Sequence, residues 1–174
     1  MKRKETFFCG DSAIASRPYH YKECGLDNVY LMNGYETEVV DGEEYVSIHA
    51  VDELWKAIGL NLVTRKKTLS PKEIRFLRGH MDKTQAEVAS LLRVDDQTVA
   101  RWEKGKVRLS GGADVAFRTL FLGSQVAQPE GVEILSKWIE TIRRLIEQDA
   151  PISDDIRFIN HNDNWEMQRV YAVG

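Results

Sequence analysis

Residues 84–106 read TQAEVASLLRVDDQTVARWEKGK, a stretch with the start and stop signals of short helices. Thr84 is followed three residues later by Glu87, which is the spacing of a capping box at the start of a helix. Asp95 is a second favourable N-cap, and Gly105 is a natural C-terminal stop. The stretch therefore predicts two short helices that are joined by a tight turn.

The second of these helices carries polar residues where a helix must face outward. Gln97 and Arg101 are four residues apart and so share one face, and their side chains suit bidentate contacts with adenine and guanine. Thr98 is short enough to reach a phosphate or a thymine methyl group. Val99 and Trp102 have the phase of core positions, so we interpret Trp102 as core rather than as a base-stacking group. This pattern is typical of a helix-turn-helix whose second helix enters the major groove of DNA.

Charge is distributed unevenly along the chain. Residues 64–108 contain twelve Lys and Arg against six Asp and Glu, whereas residues 1–63 contain six against eleven and residues 109–174 six against ten. A basic middle between acidic ends is typical of a nucleic-acid-binding module with solubilising neighbours. The alternative is an unevenly charged solvated surface.

The flanking segments predict an α+β fold, in which a small N-terminal antiparallel β module precedes an all-α domain and a long C-terminal helix. Asp41-Gly42 lies between two runs of alternating residues, which predicts a type I′ hairpin. Residues 131–148 place apolar residues at helical spacing, including Trp138, and this stripe is either core or a dimer seam. The tail predicts a hairpin that turns near Asn162-Asp163. The expected domains are 1–18 (flexible leader), 19–63 (hairpin and helix), 64–124 (helix-turn-helix) and 125–174 (amphipathic helix and tail).

On these residues the stretch resembles the Cro/cI-type (XRE) helix-turn-helix family of transcriptional regulators, over roughly residues 68–122. The resemblance rests on the T-Q-x-x-x-A start, the small Ala89 and the W-E-x-G close. The preceding CGLDNVYLMNGYE and the order of modules are similar to MqsA-like antitoxin regulators. Those proteins carry paired C-x-x-C zinc ligands, whereas this chain has single cysteines, so the resemblance implies a degenerate, zinc-free N-terminal domain.

The resemblance implies base reading by Asp96, Gln97 and Arg101 and a phosphate contact by Gln85. Arg93 stands where the family usually has a turn glycine; a left-handed Arg there costs roughly 1 kcal/mol and offers an extra phosphate contact. Asp96 brings a carboxylate near DNA, which suits only a cytosine amino group. The full set of expected DNA-binding residues is Gln85, Arg93, Asp96, Gln97, Thr98, Arg101, Lys104, Lys106 and Arg108.

Other classes of function lack a sequence pattern. Cys9 and Cys24 are too few for a closed zinc site, although a site that adds His20 or His49 is conceivable, so we expect no metal and no cofactor. The sequence shows no nucleophile–base pair and no phosphate-binding loop, so we do not expect an enzyme. No apolar run approaches the ~20 residues that span a bilayer, so we expect a cytoplasmic protein without membrane partners.

These observations predict a transcriptional repressor that binds a palindromic operator in double-stranded DNA as a homodimer. Two linked half-sites strengthen binding, because one such module makes few base contacts. The alternative is a type II antitoxin that neutralises a protein toxin through its N-terminal sheet or C-terminal helix and autoregulates its operon. The stripe around Trp138 is the candidate dimer seam.

Overall fold

The computed structural model describes residues 6–8, 18–66, 68–125, 133–134, 136–147 and 155–168. The chain forms two compact units. The strand-rich unit comprises Met1–Ala57 and Ser153–Gly174, and the helical unit comprises Ile58–Ile152. The units divide the chain differently from the predicted domain boundaries, because the C-terminal tail joins the N-terminal segment.

The strand-rich unit contains two small sheets. Its strands are β1 (Thr6–Phe8), β2 (Tyr19–His20), β3 (Val29–Leu31), β4 (Tyr35–Val40), β5 (Glu43–Ile48), β6 (Ile156–His161) and β7 (Asn164–Met167). The first sheet has the order β1-β4-β5 and is antiparallel throughout. The second has the order β2-β3-β6-β7 and is mixed, since β3 runs parallel to β6. The expectation of a purely antiparallel N-terminal module was therefore wrong in one respect: strands from the tail complete it.

Both predicted hairpins are present. Asp41 and Gly42 have φ values of 54° and 87°, and two left-handed central residues define the type I′ turn that matches the twist of β4 and β5. Asn162 and Asp163, with φ values of 50° and 62°, connect β6 to β7 in the same way. Local turn chemistry therefore determines both turns.

The core of the strand-rich unit lies on the mixed sheet. Val29, Leu31 and Phe158 are completely buried. The buried Asn33 side chain joins the two ends of the chain, since its Nδ2 donates to the Asn160 carbonyl at 3.0 Å and its Oδ1 accepts from the Asn160 N–H at 2.6 Å. These bonds satisfy polar groups that would otherwise be costly to bury.

Cys24 is a free, buried thiol in the strand-rich unit. Its Sγ contacts the Tyr21 carbonyl oxygen at 3.4 Å, and burial raises the pKa of the thiol above its ordinary value. Such a side chain behaves as a small apolar residue. Cys9, the other cysteine of the sequence, lies outside the described residues.

Six helices make up most of the remaining described chain: α1 (Val51–Arg65), α2 (Pro71–His80), α3 (Gln85–Leu92), α4 (Asp96–Glu103), α5 (Gly111–Ser124) and α6 (Trp138–Glu147). The capping box of Thr84 with Glu87 is formed, as the sequence predicted, and Ser70 with Glu73 forms another at the start of α2. Asp95 caps α4 by accepting from the Gln97 N–H at 2.9 Å. The α+β fold class is thus confirmed.

In the helical unit, Arg118 braces α5 against the end of α1. Its side chain is 1% exposed, its Nη1 donates to the carbonyls of Leu62 and Val63 at 3.0 and 2.9 Å, and its Nε donates to Asp114 at 2.7 Å. The carbonyls at a helix C-terminus lack partners within the helix, so a buried cation is stabilised there.

The C-terminal helix differs from its prediction. Helix α6 has ten residues, Trp138–Glu147, and a long helix over 131–148 is not observed; residues 131, 132, 135 and 148 lie outside the described part of the chain. Trp138 is 8% exposed and its indole N–H donates to the Thr119 hydroxyl at 2.8 Å. Trp138 therefore packs within the helical unit, whereas the sequence had left core and dimer seam open. Among the described residues, no helix combines the length and the apolar character needed to cross a bilayer.

Candidate nucleic-acid interface

Helix α4 has one buried face and one polar face. Val99 is completely buried and Trp102 is 4% exposed, so both side chains belong to the core of the three-helix cluster formed by α2, α3 and α4. Gln97 and Arg101 point the other way and are exposed. The fold therefore presents the side chains with bidentate geometry to solvent.

Gln97 and Arg101 form a pair on this exposed face. Arg101 Nη2 donates to Gln97 Oε1 at 3.0 Å. The remaining guanidinium donors and the Gln97 amide hydrogens stay available for base edges, because this bond uses only one Arg donor and the Gln oxygen. The contact also limits the rotamers of both side chains before any ligand arrives.

A basic turn follows α4. Gly105 is left-handed with φ of 68°, and the Lys106 N–H donates to the Arg101 carbonyl at 2.9 Å, which completes a Schellman motif. Lys104, Lys106 and Arg108 are exposed on this turn and on the irregular segment after it. Three exposed cationic side chains within five residues can contact the phosphates of a DNA backbone.

A buried carboxylate links the start of α3 to the end of α4. Glu103 accepts from Arg78 Nε at 2.5 Å and Arg78 Nη2 at 3.1 Å, and from Gln85 Nε2 at 2.8 Å, while Arg75 Nε lies 3.5 Å away. The Gln85 amide has a second N–H, so Glu103 orients Gln85 without exhausting its donors. Sequence reasoning missed this network, although the W-E-x-G close already pointed to the glutamate.

The Glu103 network also determines its ionisation. Burial of the carboxylate favours the neutral acid, but the hydrogen bonds from Arg78 and Gln85 and the charges of Arg78 and Arg75 outweigh it, so the pKa of Glu103 lies below its ordinary value. The Glu103 side chain is 0% exposed. A buried carboxylate at the end of α4 that accepts from donors of α2 and α3 joins these three helices.

The turn between α3 and α4 adopts the strained conformation that the sequence suggested. Arg93 is left-handed, with φ of 55° and ψ of 45°. The Val94 N–H donates to the Ala89 carbonyl at 2.9 Å, so the α3 terminus is also a Schellman motif. The Arg93 side chain is exposed.

The other predicted residues lie at the N-terminus of α4. Asp96 is the first residue of this helix and is exposed, and Thr98 lies one turn behind the cap. The positive end of the helix favours the Asp96 carboxylate even without DNA. The predicted set therefore lies on one continuous segment from Arg93 to Arg108, and Gln85 is joined to it through Glu103.

This arrangement defines a DNA-binding helix-turn-helix domain. Comparison with protein families gives the same class, because residues 74–112 match the family model described as helix-turn-helix. The match supports a helix-turn-helix of the Cro/cI (XRE) type in this segment, and with it a DNA-binding transcription regulator. No curated protein and no solved structure matches the chain. The similarity of the N-terminal segment to MqsA-like regulators stays a prediction.

Proposed function

We propose that this protein represses transcription by occupying a palindromic operator as a homodimer, with α4 in the major groove. The observation that carries the proposal is the exposed Gln97–Arg101 pair on a helix whose opposite face, Val99 and Trp102, is buried. Gln97 reads adenine and Arg101 reads guanine in this arrangement. Occupancy alone blocks a promoter, so the proposal contains no catalytic step, and its site of action is the cytoplasm.

Backbone contacts complete the proposed interface. Lys104, Lys106 and Arg108 neutralise phosphates on one side of the groove, and Arg93 does so beside the start of α4. Gln85 contacts a phosphate through its second amide hydrogen and the N–H groups at the start of α3. Thr98 contacts a phosphate or a thymine methyl group, and Asp96 accepts from a cytosine amino group.

The test is a nuclease footprint on the DNA upstream of the protein's own gene. A homodimer is expected to protect two half-sites with dyad symmetry, with centres about 34 Å apart, one turn of B-DNA, or a multiple of it. Light scattering of the complex measures how many chains it contains. One chain on a single half-site contradicts the dimer and the palindrome but leaves the placement of α4 intact.

A second candidate function, a type II antitoxin, is favoured by the charge of the strand-rich unit. Residues 23–55 contain nine Asp and Glu and no Lys or Arg, so this surface repels DNA and suits a basic protein. In this function the DNA-binding domain autoregulates the operon. The test is co-expression with the product of the adjacent gene: rescue of growth from a toxic product supports the antitoxin, and unaltered toxicity contradicts it.

A further inference from the structure

The hairpin of β4 and β5 has one face that is exposed toward the turn, while its two glutamates on β4, Glu36 and Glu38, are half-buried. Directly opposed residues of an antiparallel pair share a face, and the register opposes Glu36 to Ser47, Glu38 to Tyr45 and Val40 to Glu43. We call these six residues the hairpin face. Tyr45 is 53% and Val40 45% exposed, which is unusual for an aromatic and a β-branched residue on a sheet.

The free edge of this sheet lies beside the same face. The strand order β1-β4-β5 pairs β4 on both sides and leaves the outer edge of β5 without a strand among the described residues. An edge strand offers outward N–H and C=O groups to an added strand. Proteins usually protect such edges with charged residues or prolines; β5 has two glutamates at its start, and Tyr45–Ile48 contains neither a charged residue nor a proline.

We propose that the hairpin face and the β5 edge bind an extended, arginine-rich segment of a partner protein. The charge of the surface selects this occupant: Glu36, Glu38 and Glu43 lie on the hairpin face, within a 33-residue stretch, 23–55, that has no Lys or Arg. Guanidinium groups bind carboxylates in bidentate geometry and stack on aromatic rings. Tyr45 supplies the ring, and its hydroxyl donates to Glu43 Oε2 at 3.1 Å.

The alternation of β5 specifies the sequence pattern of the partner segment. Glu43, Tyr45 and Ser47 lie on the hairpin face, whereas the other face of β5 carries the exposed Glu44 followed by the half-buried Val46 and Ile48. Side chains of an added strand alternate in the same way. A segment with arginine at every second position and apolar residues between them therefore matches both faces of β5. This inference deepens the antitoxin alternative, on which it rests, and is independent of the DNA-binding residues.

The experiment is an NMR titration of the full chain with an octapeptide of alternating Arg and Val, and with a matched Glu and Val octapeptide. We expect amide shifts confined to 36–48, and slower hydrogen exchange at outward N–H groups of β5, with the first peptide only. Shifts that spread evenly over other acidic positions such as Asp52 and Glu53, equal binding of the second peptide, or no binding would overturn the proposal.

Matched variants separate a specific surface from general charge attraction. The double variant Glu38→Gln, Glu43→Gln is expected to bind the Arg and Val peptide at least about tenfold more weakly, which corresponds to ~1.4 kcal/mol. The control Glu140→Gln, Glu147→Gln removes two exposed charges of α6 and should weaken binding less than about twofold. Equal weakening by both variants contradicts the proposal.

Two further measurements separate binding of a partner from self-association and from DNA binding. Shifts at 36–48 that depend on protein concentration without peptide would assign the surface to a second copy of the chain and overturn the partner proposal. Affinity for a random-sequence duplex at low salt is measured for the wild type and the Glu38→Gln, Glu43→Gln variant. Unaltered DNA affinity alongside lost peptide binding shows that the hairpin face acts independently of the proposed repressor function.

Discussion

The helical unit depends on interactions between residues close in sequence, whereas the strand-rich unit depends on interactions between residues far apart in sequence. In the helix-turn-helix segment each helix is started and stopped within a few residues, by Thr84 with Glu87, by Asp95 and by Gly105. The mixed sheet instead depends on β3 finding β6, which pairs Leu31 with Phe158. The helices of the first unit can therefore be predicted from neighbouring residues, whereas the mixed sheet of the second forms only when strands distant in sequence pair.

The two units also differ in charge. Residues 64–108 have six more cations than anions, whereas residues 23–55 have nine anions and no cations. DNA is attracted to the first segment and repelled by the second, which favours approach of a duplex to the helix-turn-helix. If the units are as independent as this contrast indicates, substitutions in one should leave the function of the other unaltered.

The largest expected effect is on the helical unit. Glu103→Ala should lower the free energy of unfolding by about 3 kcal/mol, because it leaves the Arg78 guanidinium, 18% exposed, without its carboxylate. Peptide-resolved hydrogen exchange should show faster exchange in α2–α4 and an unaltered strand-rich unit. The control Glu140→Ala, at an exposed ion pair, should change stability by less than about 0.5 kcal/mol. Loss of protection in both units would show that the strand-rich unit depends on the helical unit for its stability.

The Glu103 contribution should depend on pH. Because the pKa of Glu103 is lower in the folded than in the unfolded chain, its stabilisation is complete above the ordinary glutamate pKa of about 4.3 and is lost as the pH falls through the folded pKa. The stability difference between wild type and Glu103→Ala should therefore shrink below about pH 4. Urea unfolding at several pH values measures this difference, and a constant difference down to about pH 3 contradicts the assignment.

The next effect concerns the strand-rich unit. A Cβ at Gly34 would lie 2.6 Å from Asn160 Cβ and 2.7 Å from the Trp165 ring, and Gly34 has φ of 71°. Gly34→Ala should therefore destabilise this unit by about 3 kcal/mol through overpacking and backbone strain. Gly42→Ala is the matched control, since φ there is 87° with no atom within 4 Å, and should cost only about 1 kcal/mol. Hydrogen exchange and DNA affinity are measured together; a large loss of DNA affinity in Gly34→Ala would show that the units depend on each other.

A smaller effect is expected at the DNA-binding surface. Arg101→Ala should cost about 1–3 kcal/mol of binding free energy at one base position and relax the preference there. Lys106→Ala should weaken binding to all duplexes similarly and reduce the salt slope by about one. Fluorescence anisotropy over a set of operator variants at several salt concentrations separates the two. If Arg101→Ala altered neither affinity nor preference, α4 would not lie in the groove as proposed.

The smallest effect concerns the turn between α3 and α4. Arg93→Gly should raise the free energy of unfolding by about 1 kcal/mol, since glycine adopts the left-handed conformation without the steric cost that arginine has. The same change should lower DNA affinity if Arg93 contacts a phosphate. Thermal unfolding and a binding isotherm on the same sample measure both. A destabilised Arg93→Gly would show that the arginine side chain makes a compensating contact in the free protein.

Most of the helix-turn-helix could be predicted because its determinants are local. N-caps, capping boxes and left-handed stops act over three or four residues, so Thr84, Asp95 and the strained Arg93 were identified from the sequence. The same holds for the turns at Asp41-Gly42 and Asn162-Asp163. The roles of the predicted DNA-contacting residues stay predictions, since they depend on a duplex.

The missed features depend on partners that are distant in sequence. β3 has only three residues, and the alternation of β6 predicts a strand without naming its neighbour, so the sequence does not reveal their parallel pairing. Asn33 likewise gives no sign that its partner is Asn160. The acceptor role of Glu103 requires Arg78 and Gln85 from two other helices. The helical spacing of Trp138 fits either a core or an interface residue. Its hydrogen bond to Thr119, a residue of another helix, shows that it packs within the helical unit.

The parallel pairing of β3 with β6 has a consequence for the order of events during synthesis. About 125 residues separate Leu31 from Ile156, so at ~5–20 residues per second a ribosome needs about 6–25 s to supply the second strand after the first. During that interval β3 has no parallel neighbour. The residues that contact one another in the helix-turn-helix are close in sequence and leave the ribosome together, so this segment can fold during the interval. The nascent chain therefore acquires its DNA-binding helices before its mixed sheet is complete.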